Sequence, residues 1–358
     1  VKIEDRHWKS GKPASKILQW KLYFLLAIFL HDGKIDSDQF GTMQKIALIY
    51  NPASGQHSLR RKAAIQDAVE VLRDAGMTAE AFTTSGAGSA TEQARHAIDA
   101  GFDTVIACGG DGTVHEVLQS LVGTSVALGV VPLGTANALA ADLCLIGSPA
   151  KAMGILLKAK PSRISVGRIH YQDAGGEPAS RYFIVAAGVG ADALLMSRLD
   201  AELKRRLGYV LYMIEAARII FTHGFPLFEA VIPSNGKGHA RVVDVSQLLA
   251  VRVRSFGGAL QNLAPGASLR NGTLSLLAFK TQSRFRYVLF MLAVLARQHT
   301  FYREVELVET PSIECRPRSN SRDELFVEAD GEVLGKLPVK LEVVHHSLTL
   351  LVPPGVQP

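Results

Sequence analysis

The sequence predicts an α/β domain built on a parallel sheet, followed by a second domain that is an antiparallel β-sandwich. Three observations carry that expectation. Over residues 45–162 short apolar runs alternate with helix-patterned segments, the arrangement of a parallel sheet covered on both faces. From Arg163 to about 345 the runs become strand-like with turn residues between them, which is antiparallel territory. Three runs of the first part also end in polar, glycine-bearing turns, at the carboxyl edge where open α/β sheets bind ligands.

Bulk properties bound the function. A chain of 358 residues, 47% hydrophobic, can bury two cores. Its three cysteines, Cys108, Cys144 and Cys315, are far apart and lack metal-ligand spacing, which argues against a disulfide framework or a zinc site and fits a reducing cytosol. The net charge of +6 suits nucleic acid or an anionic membrane surface, but the basic residues are scattered and not interleaved with aromatics. Membrane is therefore favoured, and no nucleic-acid partner is expected.

Residues 1–44 form an N-terminal extension. Its apolar stretch, Ile17 to Leu30, is interrupted by Gln19 and Lys21, and the clean run Leu22 to Leu30 is too short to span a bilayer. No small-residue cleavage site follows it. Two readings stay open: a helix lying in the membrane interface, or residues upstream of Met43 that the fold does not need.

In the first domain Lys45 to Tyr50 is a buried strand running into Asn51-Pro-Ala-Ser-Gly55, and a helix follows with Ala64, Ala68, Val71 and Leu72 on one face. Met77 to Thr83 is a second strand, Gly88 to Ala100 a helix, Thr104 to Ala107 a third strand and Val126 to Val131 a fourth, ending in Pro132-Leu-Gly-Thr-Ala-Asn137. Between the third and fourth, Gly109-Gly-Asp-Gly-Thr113 opens a helix continued by Val114, Val117, Leu118 and Leu121, with Thr113 placed to cap it. Glycines there let backbone N–H groups approach a ligand, and a helix N-terminus favours an anion such as phosphate. Asp111 would hold a cation or orient a nucleotide. The Gly-x4-Gly-Lys-Ser/Thr phosphate loop is absent, so another device must hold the nucleotide.

In the second domain strands are expected at Ser165 to Tyr171, Tyr182 to Ala187, Phe228 to Ile232 and Val242 to Val253, with helices over Ala193 to Phe221 and Phe285 to Gln298. Gly188-Val-Gly-Ala-Asp-Ala193 imitates a dinucleotide fingerprint but lacks the second parallel strand and its acid, so it is rejected. Phe285 to Ala296 is apolar on nearly every face and flanked by Arg284, Arg286, Arg297 and Arg303. It is either buried core or a face that meets lipid. Leu325 to Glu332 ends a strand in an acidic turn holding Glu328, Asp330 and Glu332. Leu341 to Val344 and Ser347 to Val352 close the domain, with residues 346–358 as a segment returning to the first.

The run Gly109-Gly-Asp-Gly-Thr113 resembles the signature shared by diacylglycerol kinases, sphingosine kinases, NAD kinases and, more distantly, phosphofructokinases. With Asn51-Pro-x-Ser-Gly55 before it and Pro132-Leu-Gly-Thr-x-Asn137 after it, the chain resembles the diacylglycerol kinase superfamily, including its bacterial lipid-kinase branch. The resemblance implies an NAD-kinase-like first domain. Its ATP site would be lined by Asn51, Pro52, Ala53, Ser54, Gly55, Thr84, Gly109, Gly110, Asp111, Gly112, Thr113, Val114, His115, Gly134 and Thr135. Two departures from the bacterial pattern are Ala138 and His115. By itself His115 reads as a helix-surface histidine that touches the nucleotide through its backbone.

Leu263 to Leu274 resembles the loop that binds a structural magnesium in bacterial members. Ser268 and Thr273 would offer backbone carbonyls, and Asn271 stands in place of the family's aspartate. An Asn-Gly turn with no metal is the other reading. Asp330-Gly-Glu332 matches the family's catalytic position, making Glu332 the general base, Asp330 its orienting or metal-meeting neighbour, and Asp111 the third catalytic acid.

The implied function is an ATP-dependent lipid kinase acting with Mg²⁺ on a hydroxyl of a membrane lipid, with ATP in the cleft between the domains. The implied setting is the cytoplasm, peripheral to the inner face of the membrane, with an anionic membrane surface as partner and a homodimer left open. The rivals are a soluble-substrate kinase of the NAD kinase type and a non-catalytic nucleotide- or lipid-binding protein. The acceptor lipid has no readable motif.

Overall fold

The computed structural model describes residues 43–52, 65–66, 68–70, 72–74, 76–145, 147–198, 209–233, 240–256, 263–296, 298–299, 302–319 and 323–358. The extension before Met43, the turn residues Ala53, Ser54 and Gly55, and Arg297 lie outside the described residues.

The first half runs β1 (Lys45–Tyr50), β2 (Thr78–Thr83), α1 (Ser89–Asp99), β3 (Thr104–Gly109), α2 (Asp111–Leu121), β4 (Ala127–Pro132), α3 (Ala138–Asp142) and α4 (Pro149–Leu156). Its sheet is parallel in the order β2-β1-β3-β4. Ile46, Ala47, Leu48 and Ile49 on β1, Val105, Ile106 and Ala107 on β3, and Ala127, Leu128, Val130 and Val131 on β4 are all buried, so the three strands are apolar at consecutive positions. That lack of alternation is what covering both faces of a parallel sheet requires. The described helical residues 65–66, 68–70 and 72–74 bury Ala68 and Leu72, with Ile65 and Val69 beside them, while Ala64 and Val71 of the expected face lie outside the described residues.

The second half adds β5 (Lys160–Gln172), β6 (Pro178–Phe183), β7 (Ala186–Val189), α5 (Ala191–Arg198), α6 (Tyr209–Thr222), β8 (Phe228–Ile232), β9 (Arg241–Val245) and β10 (Gln247–Val251). After these come β11 (Leu274–Phe279), α7 (Arg284–Leu295), β12 (Val305–Thr310), β13 (Ser312–Pro317), β14 (Phe326–Ala329) and β15 (Glu332–Val352). One antiparallel layer is β12-β11-β10-β7-β14, and the other joins β9, β8, β13, β15, β5 and β6. Between them lies a core that includes Ile169, Phe183, Phe228, Leu248, Leu276, Ile313, Val327 and Leu341. This is the expected β-sandwich.

Several expected boundaries move. The run 182–187 is not one strand, because the N–H groups of Ile184 and Val185 donate to the Asp330 carboxylate and not to a neighbouring strand. The run 242–253 breaks at Ser246, whose buried hydroxyl bonds the Thr281 carbonyl (2.5 Å) and Tyr287 hydroxyl (2.8 Å). The two closing strands are one strand, β15, which pairs β14, β13 and β5 and then runs parallel to β4 through Thr349↔Ala127 and Leu350↔Leu128. Both neighbours of β7 are antiparallel, which agrees with rejecting a dinucleotide fingerprint at Gly188. On α7 Tyr287, Phe290 and Val294 are buried while Phe285 (68%) and Leu292 (55%) are exposed, so this helix is core on one side only.

Candidate active site between the two halves

Two glycine turns meet at the carboxyl ends of β3 and β4. A Cβ on Gly134 would sit 2.5 Å from Gly110 Cα, and one on Gly109 would sit 2.3 Å from Thr113 Oγ1. Glycine is needed here for close approach, since neither residue has positive φ. The helix starts at Asp111 with Gly110 as its cap residue, so Thr113 lies inside the first turn and does not cap it. The first turn of α2 presents the positive end of its dipole to this edge, and the N–H groups of Thr113 and Val114 both close back on Gly110 O (3.1 and 3.2 Å).

Asp111 ties the two turns together. Its carboxylate accepts from Asn137 N (2.9 Å) and Ala138 N (2.7 Å), and Asn137 in turn bonds both backbone groups of Gly134. Both Asp111 oxygens accept from backbone N–H groups, so the side chain fixes the two turns against each other. The contact with Ala138 is made by its main chain, so the side-chain departure at that position leaves it intact. Asn51 and Pro52 are half-buried at the end of β1, Thr84 donates its N–H to Tyr50 O (3.0 Å), and Gly134 and Thr135 are exposed after β4. All of these stand at one edge of the parallel sheet.

The acidic turn of the second half approaches this edge. Asp330 (φ 50°) and Gly331 (φ 86°) form a two-residue link between β14 and β15, with Ala329 paired to Glu332. Positive φ at both positions suits Asp-Gly. The Asp330 side chain is 2% exposed and accepts from the N–H groups of Ile184 (2.9 Å), Val185 (2.8 Å) and Ala186 (3.1 Å). It also lies 3.3 Å from His115 Nδ1. His115 is therefore not a surface histidine but a buried one that joins α2 to the turn.

Glu332 is exposed, and its Oε1 would lie 3.5 Å from a Cβ built on Gly112. It faces the opening turn of α2 from across a cleft of about 250 Å³ whose lining includes Gly88, His115, Glu116, Arg181 and Glu332. Beneath the turn, Glu328 accepts from Gly331 N (2.7 Å) and pairs with Asp192 over Gly188, where a Cβ would meet both acids within 2.8 Å. Burial, reinforced by the Asp192 charge, raises the Glu328 carboxyl well above the usual range, and burial raises Asp192 too. A hydrogen bond between the two carboxyl groups needs a proton on one of them. Of the three acids in the turn, only Glu332 is presented to the cleft.

Residues 45–169 match the diacylglycerol kinase catalytic domain, and residues 184–352 match the YegS C-terminal NAD kinase beta sandwich-like domain. The chain belongs to the diacylglycerol kinase family. It is thus a kinase, a phosphotransferase whose family uses ATP. A protein named diacylglycerol kinase from Bacillus subtilis strain 168 is 26% identical over 317 residues, covering 87% of this chain and 97% of that one. Another of that name, from Staphylococcus aureus strain bovine RF122 / ET3-1, is 25% identical over 313 residues, with 87% and 93% covered. A crystal structure of a diacylglycerol kinase from Bacillus anthracis strain Sterne has the same fold, with TM-score 0.61, 19% identity and coverage of 87% and 98%.

Sequence reasoning about this kinase missed three residues that shape its cleft. Gln119 bridges α2 to β6 by donating to Tyr182 O (2.9 Å) and accepting from Tyr182 N (3.0 Å). Glu116 accepts from Ala90 N (2.9 Å) and so holds the start of α1. Arg181 brings the positive charge of the lining. The α2 periodicity placed Glu116 and Gln119 off the apolar face, but nothing local revealed their partners.

The kinase's expected magnesium loop does not fit a divalent ion. The carbonyl of Ser268 accepts from Asn271 N (3.0 Å), and those of Asn271 and Thr273 accept from the Arg252 guanidinium. The Asn271 carboxamide is turned to Gly266 O (3.0 Å). Among the described residues no cluster of His, Cys, Asp and Glu is arranged to hold a metal.

Proposed function

We propose that this kinase transfers the γ-phosphate of ATP to a hydroxyl of a membrane lipid, with Glu332 as the general base. The observation that carries the reading is the contrast among the acids. Asp111 and Asp330 spend their oxygens on backbone N–H groups, while Glu332 stands exposed in the cleft opposite the start of α2. In this reading Asn51 to Gly55, Thr84, Gly109 to His115, Gly134 and Thr135 surround the nucleotide, which enters as its magnesium complex. The α2 N-terminus and Arg181 face its phosphates. The acceptor hydroxyl gives its proton to Glu332 as its oxygen bonds to the γ-phosphorus and the bond to ADP breaks. Asp111 and Asp330 then serve as positioning residues. The nucleotide domain is assigned to residues 45–162 and the sandwich to 163–345, with 346–358 returning to the first.

A lipid acceptor is supported by the helices of the second half. Ile214 (52%) and Phe221 (69%) on α6, and Phe285, Leu289 and Leu292 on α7, are exposed apolar side chains. Arg218, Arg284 and Arg286 lie on the same helices. Apolar side chains among arginines suit an anionic lipid surface. No helix among the described residues is long and apolar enough to cross a membrane, so we assign a peripheral attachment at its cytoplasmic face.

The test is transfer from radiolabelled ATP to diacylglycerol, monoacylglycerol, ceramide or a sphingoid base in mixed micelles, beside NAD in solution. A labelled lipid is expected, with Glu332→Gln lowering kcat by roughly 10²–10⁴-fold at nearly unchanged KM for ATP. Label in NAD alone overturns the lipid reading, and full kcat in Glu332→Gln overturns the base.

A further inference from the structure

The loop from Leu263 to Leu274 is wrapped around a single side chain. Arg252, just after β10, is fully buried at 0% exposure. Its Nη2 donates to Ser165 O (3.0 Å), Asn271 O (3.1 Å) and Leu269 O (3.2 Å), and its Nη1 donates to Thr273 O. Carbonyl dipoles aimed at one point repel each other in a low-dielectric interior unless a positive charge sits among them. Here that charge is the guanidinium. Glu309 balances it from nearby, its carboxylate accepting from Thr273 Oγ1 (2.8 Å) and Ser275 Oγ (2.5 Å). A guanidinium is not deprotonated in proteins, so the group stays charged at neutral pH.

The donor set explains Asn271. A magnesium ion in protein usually keeps at least one carboxylate ligand and tight octahedral geometry. An aspartate at 271 would have charge to offer such an ion. Asn271 offers none, and its carbonyl is already held by a cation that the chain itself provides.

We propose that the Arg252 guanidinium is the resident cation of the 263–274 loop, doing from within the chain what a bound divalent ion would do. The loop is then ordered without metal, and a second cation is excluded by charge and by the occupation of its oxygens. This inference does not depend on the assignment of Glu332 or of the lipid acceptor.

The test is the melting of the full chain in EDTA and in millimolar MgCl₂ at matched ionic strength, for wild type, Asn271→Asp and Arg252→Met. Wild type and Asn271→Asp should each melt at the same temperature in both buffers, because Arg252 already neutralises the loop. Arg252→Met keeps an apolar stem but strands the carbonyls, and should melt lower by on the order of 10 °C in both. A rise of several degrees in MgCl₂ for either protein that retains Arg252 overturns the proposal. So does an Arg252→Met protein that melts with wild type. Should that variant fail to fold, the two Arg252-bearing proteins still decide the question.

Discussion

Asp330 and Glu332 are two residues apart in one turn, and their surroundings give them opposite tasks. Asp330 offers two oxygens to three backbone N–H groups and lies 3.3 Å from His115 Nδ1. An amide there must aim its NH₂ at donors on one side or the other. Asp330→Asn is therefore expected to lose about 1–3 kcal/mol of stability along with activity. Glu332→Gln, at an exposed position, should lose kcat alone. Comparing kcat with melting temperature for the two variants separates positioning from chemistry. Asp111→Asn falls with Asp330, since one of its contacts to Asn137 N or Ala138 N becomes donor against donor. It should impair transfer while the chain stays folded, as circular dichroism would show.

The buried pair Asp192 and Glu328 adds a pH signature. Both carboxyls are raised in the folded protein. Their contribution is thus full below the ordinary carboxylate range and is lost as pH rises through the folded values. Glu328→Gln removes that ionisation while its remaining oxygen can still accept from Gly331 N. Its melting temperature should gain on wild type as pH is raised, and parallel curves for the two proteins would refute a proton held on one of the pair.

At the scale of elements, what was legible in the sequence is what repeats locally. Unbroken apolar runs marked β1, β3 and β4, and glycine clusters marked their ends. The break between β6 and β7 was not legible, because it depends on a carboxylate nearly 150 positions later taking the N–H groups of Ile184 and Val185. The burial of His115 was hidden for the same reason, its partner being Asp330. The role of Arg252 was not legible, because an arginine beside a strand ordinarily snorkels to solvent, and only the folded loop shows where its charge goes.

The pairing of β5 with β15 carries its own pH dependence. Glu342, opposite Arg168 in register, accepts from Arg168 Nε (3.0 Å) and lies 3.0 Å from His170 Nε2. Bonds from Arg168 and then His170 hold its carboxyl down at about 2. A depressed carboxylate contributes stability above its unfolded value, near 4.5, that is lost as pH falls toward 2. The pair is partly solvated, so the effect is small. Glu342→Gln should melt below wild type at neutral pH, and the gap should close on acidification. A gap that persists at low pH would assign the stabilisation to something other than charge.

At the scale of the molecule, the described core begins at Met43, which is buried beside β1. Removing residues 1–42 should leave a chain with a cooperative melt that still binds ATP, checked by calorimetry with and without nucleotide. An insoluble product would show that the extension is integral to the fold.

The pairing of Thr349 and Leu350 with β4 also bears on how the protein is made. A ribosome adds roughly 5–20 residues per second, so β4 leaves it on the order of ten seconds or more before the strand that will flank it. During that interval the nascent parallel sheet has an apolar edge with unpaired backbone groups, the kind of surface that recruits foreign strands. The vulnerable species is therefore the unfinished chain, and its yield in the cell will depend on what shields that edge until the final strand arrives.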